Sequence, residues 1–182
     1  GSTWGLLVEK SATNYATNNS DLSSWSASGG ATTVSATADP AGGTSTILVN
    51  DTTTVTSSYR TLAGLSGVPT GKRCLSYWRR IDSPAPTTSS YLDASPFGVT
   101  LQSSAAIDAA YTRQDGIGNN ATTSGYFVAR PRAVTVTDTG ATAYYGAQLE
   151  AGSYPTSVIL TSAGSVARAA DVLRSEEHTA EL

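Results

Sequence analysis

The chain has 182 residues, of which 39% are hydrophobic and 14% charged, with no methionine and a formal net charge of -3. That length fits one domain with a substantial core and is short for a two-domain enzyme. The charge balance excludes the basic footprint of a nucleic-acid binder or of a protein drawn to an anionic membrane, and abundant Thr, Val and Tyr with little Leu, Glu or Lys favour strands over helices.

Short extended segments separated by Gly, Pro, Ser, Asn and Asp are expected along the whole chain. The first is Gly5–Glu9, followed by Thr32–Ala38, a turn at Asp39-Pro40-Ala41-Gly42-Gly43, Thr46–Val49, a turn at Asn50-Asp51, and Thr53–Leu62. Lys72–Asp82 is the strongest central strand and ends before Pro84-Ala85-Pro86. Ser89–Asp93, Phe97–Gln102 and Ala106–Arg113 come next, then a turn at Asp115-Gly116-Ile117-Gly118-Asn119-Asn120, then Gly125–Arg130 and Ala133–Asp138. In the closing stretch, alternation puts Ala143, Tyr145, Ala147 and Leu149 on one face and Tyr144, Gly146, Gln148 and Glu150 on the other. Gly146 within it marks a bulge or a side chain lying across the backbone. Many short strands with turn signals at this spacing predict an all-β fold, a two-sheet antiparallel β-sandwich of jelly-roll topology.

Candidate binding residues come from aromatic and Arg side chains sharing a strand face. If Leu75, Tyr77 and Ile81 face the core, Ser76, Trp78 and Arg80 share the opposite face, although alternation alone does not say which face is inside. Tyr111 with Arg113, and Tyr126 with Val128 and Arg130, repeat the spacing. Aromatic rings stack on the apolar face of a pyranose, while Arg, Gln, Asn and Asp satisfy its hydroxyls. The three pairs would line one groove, or stand as three amphipathic edge pairs.

Catalytic signatures are thin. There is no Gly-x-Ser-x-Gly elbow or phosphate-binding glycine loop, the carboxylates are scattered, and the one histidine, His178, stands alone, so no enzyme is expected. The one cysteine, Cys74, excludes an intrachain disulfide and reads as a small core residue. The turn Asp115–Asn120 has oxygens suited to calcium, but neither the spacing nor the closing Glu of an EF-hand loop.

Tyr144-Tyr145-Gly146-Ala147-Gln148-Leu149-Glu150-Ala151-Gly152-Ser153-Tyr154-Pro155-Thr156-Ser157, continued by Val158-Ile159-Leu160 and Arg168-Ala169-Ala170-Asp171, resembles the closing strand and turn of phage-type carbohydrate-binding-module-like domains. Gly5-Leu6-Leu7-Val8-Glu9, Ala12-Thr13-Asn14 and Ser24-Trp25 are similar to that family's opening; residues 31–141 are only loosely similar. The resemblance implies a non-catalytic jelly roll that binds a poly- or oligosaccharide in a virion or extracellular setting, as part of a phage tail, tail-fibre or virion-associated protein. Such modules often carry a structural calcium, which the resemblance does not locate; no other cofactor is expected. The alternative is a structural virion or fibre module whose partners are protein neighbours, including copies of itself in a trimer.

Gly1-Ser2 reads as a cloning scar and residues 3–173 as a single domain. Arg174-Ser175-Glu176-Glu177-His178-Thr179-Ala180-Glu181-Leu182 resembles the translation of a sequencing adapter, with Ala180 in place of Ser. Without this tail's one Arg and three Glu, 10 basic and 11 acidic residues remain. The competing reading is a polar helix start capped by Ser175. A sequence never selected to pack contributes nothing to folding. Deleting Arg174–Leu182 is therefore expected to move the thermal unfolding midpoint by less than about 5 °C, which at this size corresponds to about 1–2 kcal/mol. A larger fall would show that the tail docks.

Overall fold

The computed structural model describes residues 9–19, 22–28, 32–44, 46–51, 59–82, 91–102, 110–131 and 140–171. Among these the protein is nearly all β, with one turn of 3-10 helix at Leu22–Ser24 and no α-helix. The strands are β1 (Ala12–Asn14), β2 (Ser26–Ser28), β3 (Thr32–Thr37), β4 (Thr46–Asp51), β5 (Tyr59–Leu65), β6 (Gly71–Asp82), β7 (Tyr91–Ser95), β8 (Val99–Gln102), β9 (Thr112–Asn120), β10 (Gly125–Arg130), β11 (Gly140–Ala151) and β12 (Val166–Arg168). The expected segments at 5–8 and 133–138 lie outside the described residues, as does most of the one at 106–113, of which Thr112 and Arg113 open β9.

Two five-stranded sheets run in the orders β2-β5-β10-β7-β8 and β3-β4-β11-β6-β9, and β1 and β12 form a separate ribbon. All pairings are antiparallel. The pairs nest: β7 with β8, β6 with β9, β5 with β10, β4 with β11. One core takes side chains from both sheets, Leu62, Leu92 and Phe127 from the first and Leu75, Tyr77, Tyr144 and Leu149 from the second. This is the arrangement of a β-sandwich, in which the inner faces of two sheets interdigitate. Trp25 closes one end of it, with its ring centroid 5.9 Å from that of Phe127 and its indole N–H donating to the Asn18 carbonyl.

Two expected turns are strand instead. Asn50 and Asp51 end β4, paired on one side with Thr33 and Thr32 and on the other with Ala141 and Gly140. Ladder pairing on both flanks overrides the local turn preference of Asn-Asp. Asp115–Asn120 lies within β9 and pairs residue by residue with β6 from Gly71 to Ser76. Its glycines serve close packing: a Cβ at Gly116 would stand 2.5 Å from the Leu101 side chain, and one at Gly118 2.5 Å from that of Val99. A strand glycine where another segment crosses closely looks in sequence like a turn glycine.

The alternation expected across β11 breaks in its middle. Gly146 has φ +62, the pairing with β6 shifts between Tyr145 and Gln148, and a Cβ on Gly146 would meet Val158 at 2.8 Å. The bulge changes the parity of the strand, so Tyr144, Ala147 and Leu149 share the core, whereas Tyr145 does not join it.

The first and last described segments meet at the β1–β12 ribbon. The Asp171 N–H donates to the Glu9 carbonyl and the Glu9 N–H to the Asp171 carboxylate there, while the Glu9 carboxylate accepts hydrogen bonds from the Ser157 N–H and the Arg168 guanidinium. Burial pushes the Glu9 carboxyl up, but the hydrogen bonds from Ser157 and Arg168 outweigh it and hold the group below its ordinary value of 4.5. A carboxyl lowered in the folded state adds stability above the unfolded pKa, and loses it as pH falls through the folded pKa. Wild type is therefore expected to exceed Glu9→Gln in unfolding midpoint by a constant margin above about pH 5, and the margin to close on acidification. Midpoints of both proteins measured from pH 7 to pH 3 check this; a margin independent of pH would exclude the Glu9 charge.

Candidate functional site

Phe127 and Ala129 of β10 point into the core, so Tyr126, Val128 and Arg130 project from the outer face of that sheet. Register places Thr61 of β5 and Asp93 of β7 on either side of Val128. Together with Tyr59 these residues line an open cleft of about 610 Å³, a size suited to a small ligand. The Arg130 guanidinium carbon lies 4.2 Å from the centroid of the Tyr59 ring, so one face of that ring is covered. Tyr126 is 44% exposed, so its ring is open to a ligand. The floor thus offers an aromatic surface, a carboxylate, a guanidinium and the Thr61 hydroxyl, which donates to the Phe127 carbonyl.

On the other sheet, Leu75, Tyr77 and Ile81 of β6 are buried, with Leu75 and Tyr77 in the shared core. Trp78 and Arg80 accordingly face outward, half-buried, in a smaller cleft of about 450 Å³ with Asp39, Pro40 and Tyr111. Its polar groups are engaged with one another. Arg80 donates to Asp82 at 2.7 and 2.8 Å and to the Thr37 hydroxyl at 3.0 Å, with its guanidinium carbon 4.7 Å from the Tyr111 ring centroid. Its Asp82 hydrogen bond, against the opposing effect of burial, holds the Arg80 guanidinium above its ordinary value. The Tyr111 hydroxyl donates to the Ala38 carbonyl at 2.6 Å. The Asp39 turn beside it forms as expected, with Asp39 Oδ1 accepting from the N–H groups of Ala41 and Gly43.

Arg113 belongs to neither cleft. It donates to the Ser76 hydroxyl and to the Thr156 carbonyl, and so ties the segment after β11 across the outer face of β6. The six candidate residues therefore fall into three places: Tyr126 and Arg130 outside one sheet, Trp78, Arg80 and Tyr111 outside the other, and Arg113 under the 153–158 segment. One groove holding all three pairs is not formed, because an i, i+2 spacing assigns residues to a face of their own strand and says nothing of the sheet that strand joins. Tyr59 and Asp93 are cleft residues that the aromatic-plus-Arg spacing missed. Period-2 alternation at Tyr59-Arg60-Thr61 was a signal, but only the register brings them beside Tyr126.

Gln148 and Glu150 of the closing motif are buried and structural. Glu150 accepts from the Thr156 N–H at 3.0 Å, the Thr156 hydroxyl at 2.6 Å and the Gln148 amide at 2.6 Å, and the Gln148 carbonyl accepts from the Ile159 N–H. Segment 158–160 forms no strand; side chains supply the hydrogen bonds that a ladder would. Cys74 lies opposite Glu150, and its thiol is pushed up to about 11 by burial and then by the Asp115 and Glu150 carboxylates, so it stays protonated and inert at neutral pH.

Among the described residues no three His, Cys, Asp or Glu side chains gather as a metal site. The backbone of Asp115–Asn120 is committed to the β6 ladder, so this segment does not fit the loop ligation that calcium requires. Nor is any described helix long and apolar enough to cross a membrane. No protein-family model matches the chain, and no curated protein matches it either.

Proposed function

We propose that this protein is a non-catalytic carbohydrate-binding domain of jelly-roll topology, carried by a virion or extracellular protein such as a phage tail or tail fibre. The nested strand pairing supports the topology: a long antiparallel hairpin from β4 to β11, rolled so that successive strands mostly alternate between sheets, yields these two orders. The single observation that carries the binding role is the cleft over β5, β10 and β7, whose lining the half-exposed Tyr126 ring shares with Asp93 and Arg130. That combination offers a stacking surface for the C–H face of a sugar, and both donors and acceptors for its hydroxyls. The cleft at Trp78 supports the role less, because it is smaller and its indole is half-buried. A glycan-array screen of the intact protein tests the proposal. Binding to at least one glycan, lost in Tyr126→Ala, is the expected result, and silence across a broad array would sink it.

A second reading, contact with neighbouring proteins of the same particle, is favoured by exposed Tyr154, Leu160 and Val166 in the stretch from the end of β11 to β12.

A further inference from the structure

The cleft over β5, β10 and β7 also carries information about the class of sugar. Its described lining contains one acidic side chain, Asp93, and one basic side chain, Arg130, so its formal charge is balanced. Asp93 sits directly opposite Val128 at the centre of the outward row Tyr126-Val128-Arg130, with Tyr126 and Arg130 diagonal to it on either side. A ligand lying along that row passes the carboxylate whichever way it runs.

An ionised carboxylate only accepts hydrogen bonds and a guanidinium only donates them, whereas a sugar hydroxyl does both. An uncharged oligosaccharide can therefore use Asp93 and Arg130 together, with the C–H face of one of its rings on Tyr126. A uronate or sialic acid would gain from Arg130 alone and bring its negative charge against Asp93 in a partly desolvated cleft, where like charges repel more strongly than in water. One face of the Tyr59 ring is occupied by Arg130, so that face is closed to a ligand, and the guanidinium's Nε and Nη1 are buried. The whole chain, at a formal net charge of -3, adds no long-range attraction for an anionic polymer.

We infer that this cleft selects neutral hexose glycans over acidic ones, with Asp93 as the hydroxyl acceptor that sets the preference. The inference rests on the carbohydrate-binding reading and goes beyond it.

The test is calorimetric titration of the full chain with neutral tetrasaccharides of glucose, mannose and galactose, and with oligogalacturonate and sialyllactose, at about 20 and about 300 mM salt. The expected result is binding of a neutral probe, with affinity changing less than about twofold between the two salt concentrations and falling at least about tenfold in Asp93→Asn. An acidic probe bound tighter than every neutral one, weakening steeply with salt, would overturn the inference while leaving carbohydrate binding in place. Neutral binding that survives Asp93→Asn unchanged in a folded protein would also overturn it. No binding of any probe would remove the carbohydrate reading itself. The probe comparison uses the unaltered protein, so it decides the question even if Asp93→Asn fails to fold.

Discussion

Asn14→Ala is expected to lower the thermal unfolding midpoint by about 10 °C, more than any other single polar truncation in the ends of this protein. Asn14 is fully buried, and its amide makes four hydrogen bonds. The NH₂ group donates to the carbonyls of Ala147 and Ile159, and the oxygen accepts from the N–H groups of Ala16 and Leu149. One side chain thereby ties β1 to β11 at its bulge and just after it, and to the segment that replaces a strand further on. Truncation strands the N–H groups of Ala16 and Leu149 and the Ala147 carbonyl in the interior, each at roughly 1–3 kcal/mol if no water enters, while the Ile159 carbonyl keeps a hydrogen bond from the Asn19 amide. Taking about 4 kcal/mol in total, at about 2–4 °C per kcal/mol for a domain of this size, gives the expected fall. Asn14→Asp should not rescue it, because a carboxylate keeps the two acceptor contacts and sets charge against two carbonyls. Calorimetry of both variants beside Thr13→Ala checks this; a fall under about 3 °C for Asn14→Ala would mean that water takes over the amide's role.

Tyr126→Ala and Trp78→Ala are expected to part company. Tyr126 is largely outside the core and near no other described ring, so truncating it should leave the unfolding midpoint within about 2 °C while weakening sugar affinity at least about tenfold, or 1.4 kcal/mol. Trp78 is half-buried on the opposite sheet, walled by the Arg80–Tyr111 stack and the Asp39 turn. Its loss should reduce stability by about 1–3 kcal/mol and change affinity less than about twofold. Titration and denaturation on each variant separate the two roles. Affinity lost in Trp78→Ala and retained in Tyr126→Ala would move the binding site to the other sheet.

The strand at Gly125–Arg130 was readable residue for residue, because alternation there runs unbroken between turn signals. β6 was readable to within one residue at its start for the same reason, and that Leu75, Tyr77 and Ile81 share a face followed from the period, whereas which face is inward did not. Asp115–Asn120 was not readable, since a Gly-x-Gly run has the same composition whether it turns or lies under a crossing strand. β11 was read as one alternating face, and the Gly146 bulge, although marked by its glycine, changed which residues reached the core.

Local composition and period by themselves determined that this chain is built of strands, where most of them lie, and which residues on each share a face. These follow from backbone sterics and the two-residue repeat, which act within a few residues. Only the tertiary structure decided that Tyr126 and Arg130 face away from Trp78 and Arg80, that Tyr59 and Asp93 complete the larger cleft, and that Asn14, Gln148 and Glu150 commit their polar groups to the chain's own backbone and to neighbouring buried side chains. Those outcomes depend on register and sheet membership, set by pairing between segments far apart in the chain, and no local pattern encodes them.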